Sequence, residues 1–156
     1  MQKAFRLLSM RPHSEKELEK KLREKDFPAV VIKETLEKLY DLKYLNDASF
    51  AGQWARNLVV NKLWGNKKII ASLRDKGIAA ELINLSIEQA REELSEEEAI
   101  AVLIRKKAAK KKPSAFDIKE KQRIFQSLIG RGFPTGLILN KLRKAVGENR
   151  NGEDWK

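Results

Sequence analysis

Three stretches decide the fold: LREKDFPAVVIKETL (22–36), LRDKGIAAELINLSI (73–87) and LIGRGFPTGLILNKL (128–142), which align without a gap. Apolar residues stand at five positions in all three: Leu22/Leu73/Leu128, Phe27/Ile78/Phe133, Val31/Leu82/Leu137, Ile32/Ile83/Ile138 and Leu36/Ile87/Leu142. Four residues upstream, one helical turn away on the same face, Leu18, Ile69 and Ile124 extend the register. Self-similarity of this kind is the signature of a repeat architecture.

Each stretch reads as the end of one helix at Lys25, Lys76 or Arg131, a tight turn, and a second helix whose apolar stripe starts at Ile32, Ile83 or Ile138. The turn residue is Asp26, Gly77 or Gly132. Glycine just past a helix end takes the left-handed conformation that caps the last carbonyls, and aspartate is among the few other residues that tolerate it. Pro28 and Pro134 suit the first turn of the helix that follows, where a missing N–H costs nothing.

Working outward, a further helix precedes each pair. The first runs from about Gln2 to Met10 with Ala4, Leu7 and Leu8 inward. The second follows Asn46 or Asp47 as N-cap, with Phe50, Trp54 and Leu58 on one stripe, and the third opens at the capping box Ser95–Glu98. Ser14 with Glu17 forms another box, and Asp117 with Glu120 a third. No stretch shows strand alternation. The expected fold is therefore all-α: about nine helices in three tandem three-helix modules, 1–45, 46–94 and 95–146, forming an elongated array able to curve. The segment 147–156 has no periodicity and is expected to be a mobile tail carrying Trp155. Trp54, on an apolar stripe, is assigned to the core.

The chain has 156 residues, 42% apolar and 35% charged, enough to bury a real core. Its longest run without a charge is Gly132 to Asn140, far short of the roughly 20 residues that span a bilayer, and MQKAFRLLSMR lacks a signal-peptide core. With no cysteine and one histidine, His13, disulfides, thiolate chemistry, zinc fingers and a histidine-based triad are excluded. A cytoplasmic location fits this composition. There is no GxGxxG and no GxxxxGK[ST], and Gly130-Arg131-Gly132 is accounted for by the helix turn. The carboxylates Glu92, Glu93, Glu96, Glu97 and Glu98 straddle a helix start, where acids favour the dipole, so they are read as a solvated cap and not a metal site. His13, between Pro12 and the Ser14 cap, is read as a loop residue. No cofactor, metal or catalytic activity is expected.

The charge is one-sided. Lys and Arg exceed Asp and Glu by 33 to 22, and the segment Arg105 to Lys144 holds 13 basic residues against Asp117 and Glu120 alone. Such a field implies an anionic partner. A helix-turn-helix reader of duplex DNA is the rival explanation of the repeated turns, but the second helix of the middle unit, Ala79 to Ala90, offers two acids and no basic residue to a major groove. On the helix from Ser95, Ile100, Ile104, Lys107 and Lys111 share one narrow stripe, so that face changes from apolar to cationic along its length. Buried lysines would be expensive, so this end must leave the core. The expected working surface is Lys106, Lys107, Lys110, Lys111 and Lys112 with Arg131, Arg143 and Lys144.

Four blocks carry a resemblance to a known family: LLSMRPHSEKELEKKL (7–22), YLNDASFAGQWARN (44–57), LRDKGIAAELI (73–83) and FQSLIGRGFPTGLI (125–138). In their order and spacing the chain resembles the RecX family, bacterial regulators of the RecA recombinase, from about Ala4 to Val146. It departs at Asp26, where the family favours glycine, and at Gly65-Asn66-Lys67-Lys68, which replaces a Gly-Pro-Arg-like run. The resemblance implies tandem three-helix modules and a non-enzymatic protein, expected as a monomer. It further implies that the partner is RecA in its filament on single-stranded DNA, with inhibition of filament growth, strand exchange and ATP hydrolysis. Weak direct DNA binding is compatible with it, and no membrane partner is expected. The second reading is a basic helical nucleic-acid-binding module with no recombinase partner.

Overall fold

The helices expected from the repeat are present. The computed structural model describes residues 1–147, and the expected tail with Trp155 lies, from 148 on, outside the described residues. In order come α1 (Gln2–Met10), α2 (Glu15–Glu24), α3 (Ala29–Asp41), α4 (Asp47–Arg56), α5 (Asn66–Asp75), α6 (Ala80–Glu93), α7 (Glu96–Ala108), α8 (Ile118–Gly130) and α9 (Thr135–Ala145). No strand occurs among the described residues, and no described helix is long and apolar enough to cross a membrane.

Local chemistry sets the helix starts. Ser14 and Ser95 each accept the N–H three residues on, while Glu17 and Glu98 reach back to the cap N–H, completing two capping boxes. Asp117 accepts the Glu120 N–H at 2.8 Å, but that box stays half made because Glu120 takes the Lys111 ammonium at 2.5 Å. Asn46 caps α4 by accepting the Ser49 N–H. Pro28 and Pro134 stand one place earlier than expected, as the N-cap residues of α3 and α9 with extended backbone. A second difference follows α4, where a π-helical turn, Asn57–Asn61, replaces the continuous stripe expected from Phe50 to Leu58. The wider turn brings both Leu58 and Val59 into the interior.

The chain divides into two compact units, one of Met1–Arg56 with Ala71–Gln89 and one of Asn57–Ile70 with Ala90 onward. In the first, Ala4 of α1, Leu18 and Leu22 of α2, and Ile32, Leu36 and Leu39 of α3 form a core closed by Leu45. In the second, Ile100 and Ile104 of α7, Ile124 and Leu128 of α8, and Ile138 and Leu142 of α9 do the same, joined by Leu63, Phe116 and Phe133. The matching leucines Leu22, Leu73 and Leu128 are all buried, as the repeat requires.

Each unit contains one joint at which a helix turn seats on the start of an earlier helix, and the two joints are copies. In the first unit the Ser14 hydroxyl donates to the Lys76 carbonyl at 2.7 Å. In the second the Gly65 N–H donates to the Arg131 carbonyl at 2.7 Å, and the Lys67 N–H lies 3.3 Å from the Gly132 carbonyl. Ser14 and Gly65 both stand eight residues before the matching leucines Leu22 and Leu73, and Lys76 and Arg131 both stand three after Leu73 and Leu128. The approach is close. A Cβ on Gly65 would lie 2.3 Å from the Gly132 backbone, and one on Gly77 would lie 2.5 Å from the Lys16 side chain.

The joints explain where the apolar repeat fails. Ile78 and Phe133 follow the two seated turns and are buried, whereas Phe27 is 37% exposed and Val31 42% exposed, contrary to a core role for all three copies. No hydrogen bond from another helix reaches the Lys25 carbonyl among the described residues, so the first turn has nothing seated on it. That freedom accounts for Asp26, which adopts φ 64° beside values of 78° for Gly77 and 92° for Gly132. All three turns need the left-handed conformation, but only the seated ones also need a missing Cβ.

At the first joint the charges close on themselves. Glu17, with its side chain 9% exposed, accepts from Arg11 at 2.6 Å and Lys76 at 3.0 Å. Burial opposes ionisation of this carboxyl, but the bonds from Arg11, Lys76 and the Ser14 N–H outweigh it and hold its pKa at about 2. The Arg11 and Lys76 cations also lie over the Trp54 ring, whose Nε1–H donates to Ser72. His13 lies in the loop between α1 and α2, as expected, but is buried there: it is 3% exposed, bonded through Nδ1 to the Arg11 carbonyl and through Nε2 to the Lys21 ammonium. Burial lowers its pKa, the bond to the Arg11 carbonyl opposes, and the Arg11 and Lys21 charges add to the lowering. With lysine donating to Nε2, the neutral ring carries its proton on Nδ1.

Two predictions follow from the joints. Gly65→Ala should destabilise by roughly 2–3 kcal/mol, because the clash is with backbone that cannot move aside, while Asp26→Gly should leave stability unchanged or raise it by up to about 1 kcal/mol; urea denaturation of both variants checks the contrast. The Glu17 pKa is depressed in the folded protein, so its contribution is complete above about 4.5 and is lost as pH falls toward about 2. Stability should drop by on the order of 3 kcal/mol across that window, and the drop should be largely absent in Glu17→Gln.

Candidate nucleic-acid interface

The second joint carries the opposite electrostatics. Helix α7 opens with Glu96, Glu97 and Glu98 and closes with Arg105, Lys106 and Lys107, each sign at the end of the helix dipole that favours it. Its buried stripe ends at Ile104, and Lys106, Lys107, Lys110, Lys111 and Lys112 are all exposed beyond it, as the stripe predicted. The 3-10 turn Pro113–Ala115 then returns the chain to the core at Phe116. Helix α8 turns Ile124 and Leu128 inward and leaves Ser127 and Arg131 on the rim.

Between α7 and α8 lies a groove of about 370 Å³ lined by Lys106, Lys107, Lys110 and Arg131 with Ser127 and apolar floor residues Leu103, Ile124 and Leu128. It runs into a second groove of about 490 Å³, which shares Lys106, Ser127 and Arg131 and adds Asn61, Lys62, Trp64 and Lys68. Six cations and no carboxylate line the two together. None of these six enters an ion pair among the described residues.

The walls are fixed. Arg131 donates from Nη1 to the Lys62 carbonyl at 2.7 Å, and its own carbonyl holds the Gly65 N–H. Lys68 lies 4.1 Å over the Trp64 ring. Arg91 donates to the carbonyls of Trp64 and Leu94 and to the Asn66 side chain, while Glu96 accepts the Asn66 N–H. This strap keeps the Trp64–Asn66 segment against α7. Among the described residues no cluster of acidic or histidine side chains is placed to hold a metal ion.

The structure divides the expected working surface. Lys106, Lys107, Lys110 and Arg131 come together in the groove. Lys111 pairs with Glu120 and lines an adjoining cleft, shared by Lys107 and Lys110, that also contains Asp117, Lys119 and Arg123. The hydrogen bond to Glu120 raises the Lys111 pKa. Lys144 lines a cleft between α7 and α9 with Arg105 and Lys141, and Lys112 and Arg143 are exposed outside these clefts. Lys62 and Lys68 were not among the expected residues. A signal for Lys68 existed in the repeat: aligning Leu22 with Leu73 sets it at the position that Glu17 holds in the first joint.

Family comparison agrees with this architecture. Residues 1–39 match the first, 46–85 the second and 95–142 the third of the three-helix domains that define RecX. Among curated relatives named regulatory protein RecX, that of Pelodictyon phaeoclathratiforme is 35% identical over 92% of this chain and 86% of its own length. That of Corynebacterium efficiens is 31% identical over 94% and 71%. The chain spans only 54% of the Listeria monocytogenes relatives. The crystal structure of RecX from Lactobacillus salivarius superposes with a TM-score of 0.76 at 28% identity, covering 92% of each chain.

Proposed function

The chain belongs to the RecX family of regulatory proteins, and from that premise we propose that it is a modulator of the RecA recombinase, chiefly a negative one. It binds the RecA filament on single-stranded DNA and inhibits filament growth, ATP hydrolysis and strand exchange. The observation that carries this reading is the presence of all three family domains, in order, along one chain. The site is a surface and not a catalytic centre, formed by Lys106, Lys107, Lys110, Lys111, Lys112, Arg131, Arg143 and Lys144. The excess of cations in this segment supports an anionic partner such as a nucleoprotein filament. Several weak contacts held on one scaffold gain affinity together without any one being strong. The protein acts as a cytoplasmic monomer without a cofactor.

A second reading, a nucleic-acid-binding module without a recombinase partner, is favoured by one observation, the groove free of carboxylates. A titration of RecA ATPase on single-stranded DNA separates the two. The regulator should suppress hydrolysis at substoichiometric ratios and bind bare DNA only weakly at physiological salt, whereas tight DNA binding with undiminished ATPase would establish the module instead. If about five phosphates are neutralised, log affinity should fall against log salt with a slope near −4. Replacing Lys106, Lys107 and Lys110 by Glu should abolish inhibition and the salt slope while leaving helical circular dichroism unchanged. Inhibition equal to the parent's would move the contact surface to the first two domains.

A further inference from the structure

Both joints seat a helix-end carbonyl on a helix start, through the Ser14 hydroxyl in one and the Gly65 N–H in the other, and they differ in one charged residue. In the first, the Glu17 carboxylate lies between Arg11 and Lys76 and accepts from both. Counting back from the matching leucines, Lys62 stands where Arg11 does and Lys68 where Glu17 does, and counting forward Arg131 stands where Lys76 does. The second joint therefore keeps the cationic pair and replaces the anion between them by a third cation. Lys106 of α7 adds a fourth at the same rim. Like charges held together without a counter-ion repel, and an anion entering among them relieves the repulsion.

We propose that the groove at the second joint is a phosphate site, in which a backbone phosphate of single-stranded nucleic acid takes the place that the Glu17 carboxylate fills at the first joint. Arg131 is suited to recognise it. Its Nη1 is held by the Lys62 carbonyl, which fixes the plane of the guanidinium, and a fixed guanidinium fits two phosphate oxygens. Lys68 over Trp64 and Lys106 supply point charges on either side. The adjoining groove with Lys107 and Lys110 continues the cationic floor for a neighbouring phosphate along the strand. A polymer satisfies both grooves at once, which favours a strand over an isolated phosphate. The assignment rests on the RecA-filament reading for its biological setting, and it narrows the contact from the wider basic segment to one joint.

The test is anisotropy of a labelled oligothymidylate of about 20 nucleotides at roughly 0.1 M salt, with the parent, Lys68→Glu and the charge-matched control Lys33→Glu on the exposed face of α3. Lys68→Glu installs the acid of the first joint and should weaken binding roughly tenfold or more, while Lys33→Glu should change it by no more than about twofold. The same substitution should raise the melting temperature in low salt without ligand, because the joint is then neutralised internally. If Lys68→Glu does not fold, Lys106→Glu should show the same loss of binding. Inorganic phosphate at about 10 mM distinguishes the source: a melting shift in the parent that Lys68→Glu lacks shows that a lone phosphate suffices, and a shift given by the oligonucleotide alone shows that the strand is required; both support the site. Equal weakening in Lys68→Glu and Lys33→Glu, or full binding by Lys68→Glu, overturns it. RecA ATPase measured in parallel keeps the two readings apart. Lys68-dependent binding without ATPase inhibition by the parent retains the phosphate site and removes the regulator, whereas inhibition by the parent with Lys68-independent binding does the reverse.

Discussion

Everything in this structure hangs on a carbonyl at the end of a helix and the donor that meets it. A helix leaves its last carbonyls unpaired, and the turns at Lys76 and Arg131 each present one of them outward. The Ser14 hydroxyl and the Gly65 N–H, both at helix starts, supply the missing donor at the same 2.7 Å. One bond of this kind contributes about 1 kcal/mol, but it fixes where the turn lies, and the apolar residue just after the turn is buried as a consequence. Ile78 and Phe133 are core residues because their turns are seated, and Phe27 is not because its turn is free.

The same geometry has been given two electrostatic solutions. At the first joint the buried carboxylate of Glu17 satisfies two cations, at the expense of desolvation that its hydrogen bonds more than offset. The result is a closed network that includes Trp54 and Ser72 and stands beside the buried His13. At the second joint the equivalent cations remain unpaired and open to solvent. The repeat thus carries one closed joint and one open cationic joint in a single chain. The residue that differs in sign from Glu17 is Lys68, in the run Gly65-Asn66-Lys67-Lys68 at the start of α5.

Much of the fold was legible in the sequence because its determinants are local. Apolar spacing gave the helices, the Ser14 and Ser95 boxes gave two of their starts, and Asp26, Gly77 and Gly132 marked the turns. The π-helical turn at Asn57–Asn61 left no such mark, since its apolar residues suit either winding. His13 was legible as a loop residue, but its burial was not, because that depends on Arg11 and Lys21 closing around it, which no local pattern reveals.

The basic segment was equally plain as a count, but its division was not. Lys106, Lys107, Lys110 and Arg131 share a groove with Lys62 and Lys68, which lie far earlier in the chain, while Lys111 turns to Glu120 and Lys144 to a separate cleft. By itself the sequence determined the helices, the repeat, the turns and the sign of the charge, because each follows from neighbours along the chain. Only the tertiary structure decided which cations are neutralised and which stand open together, because that depends on where the Gly65–Arg131 hydrogen bond brings two distant segments into contact.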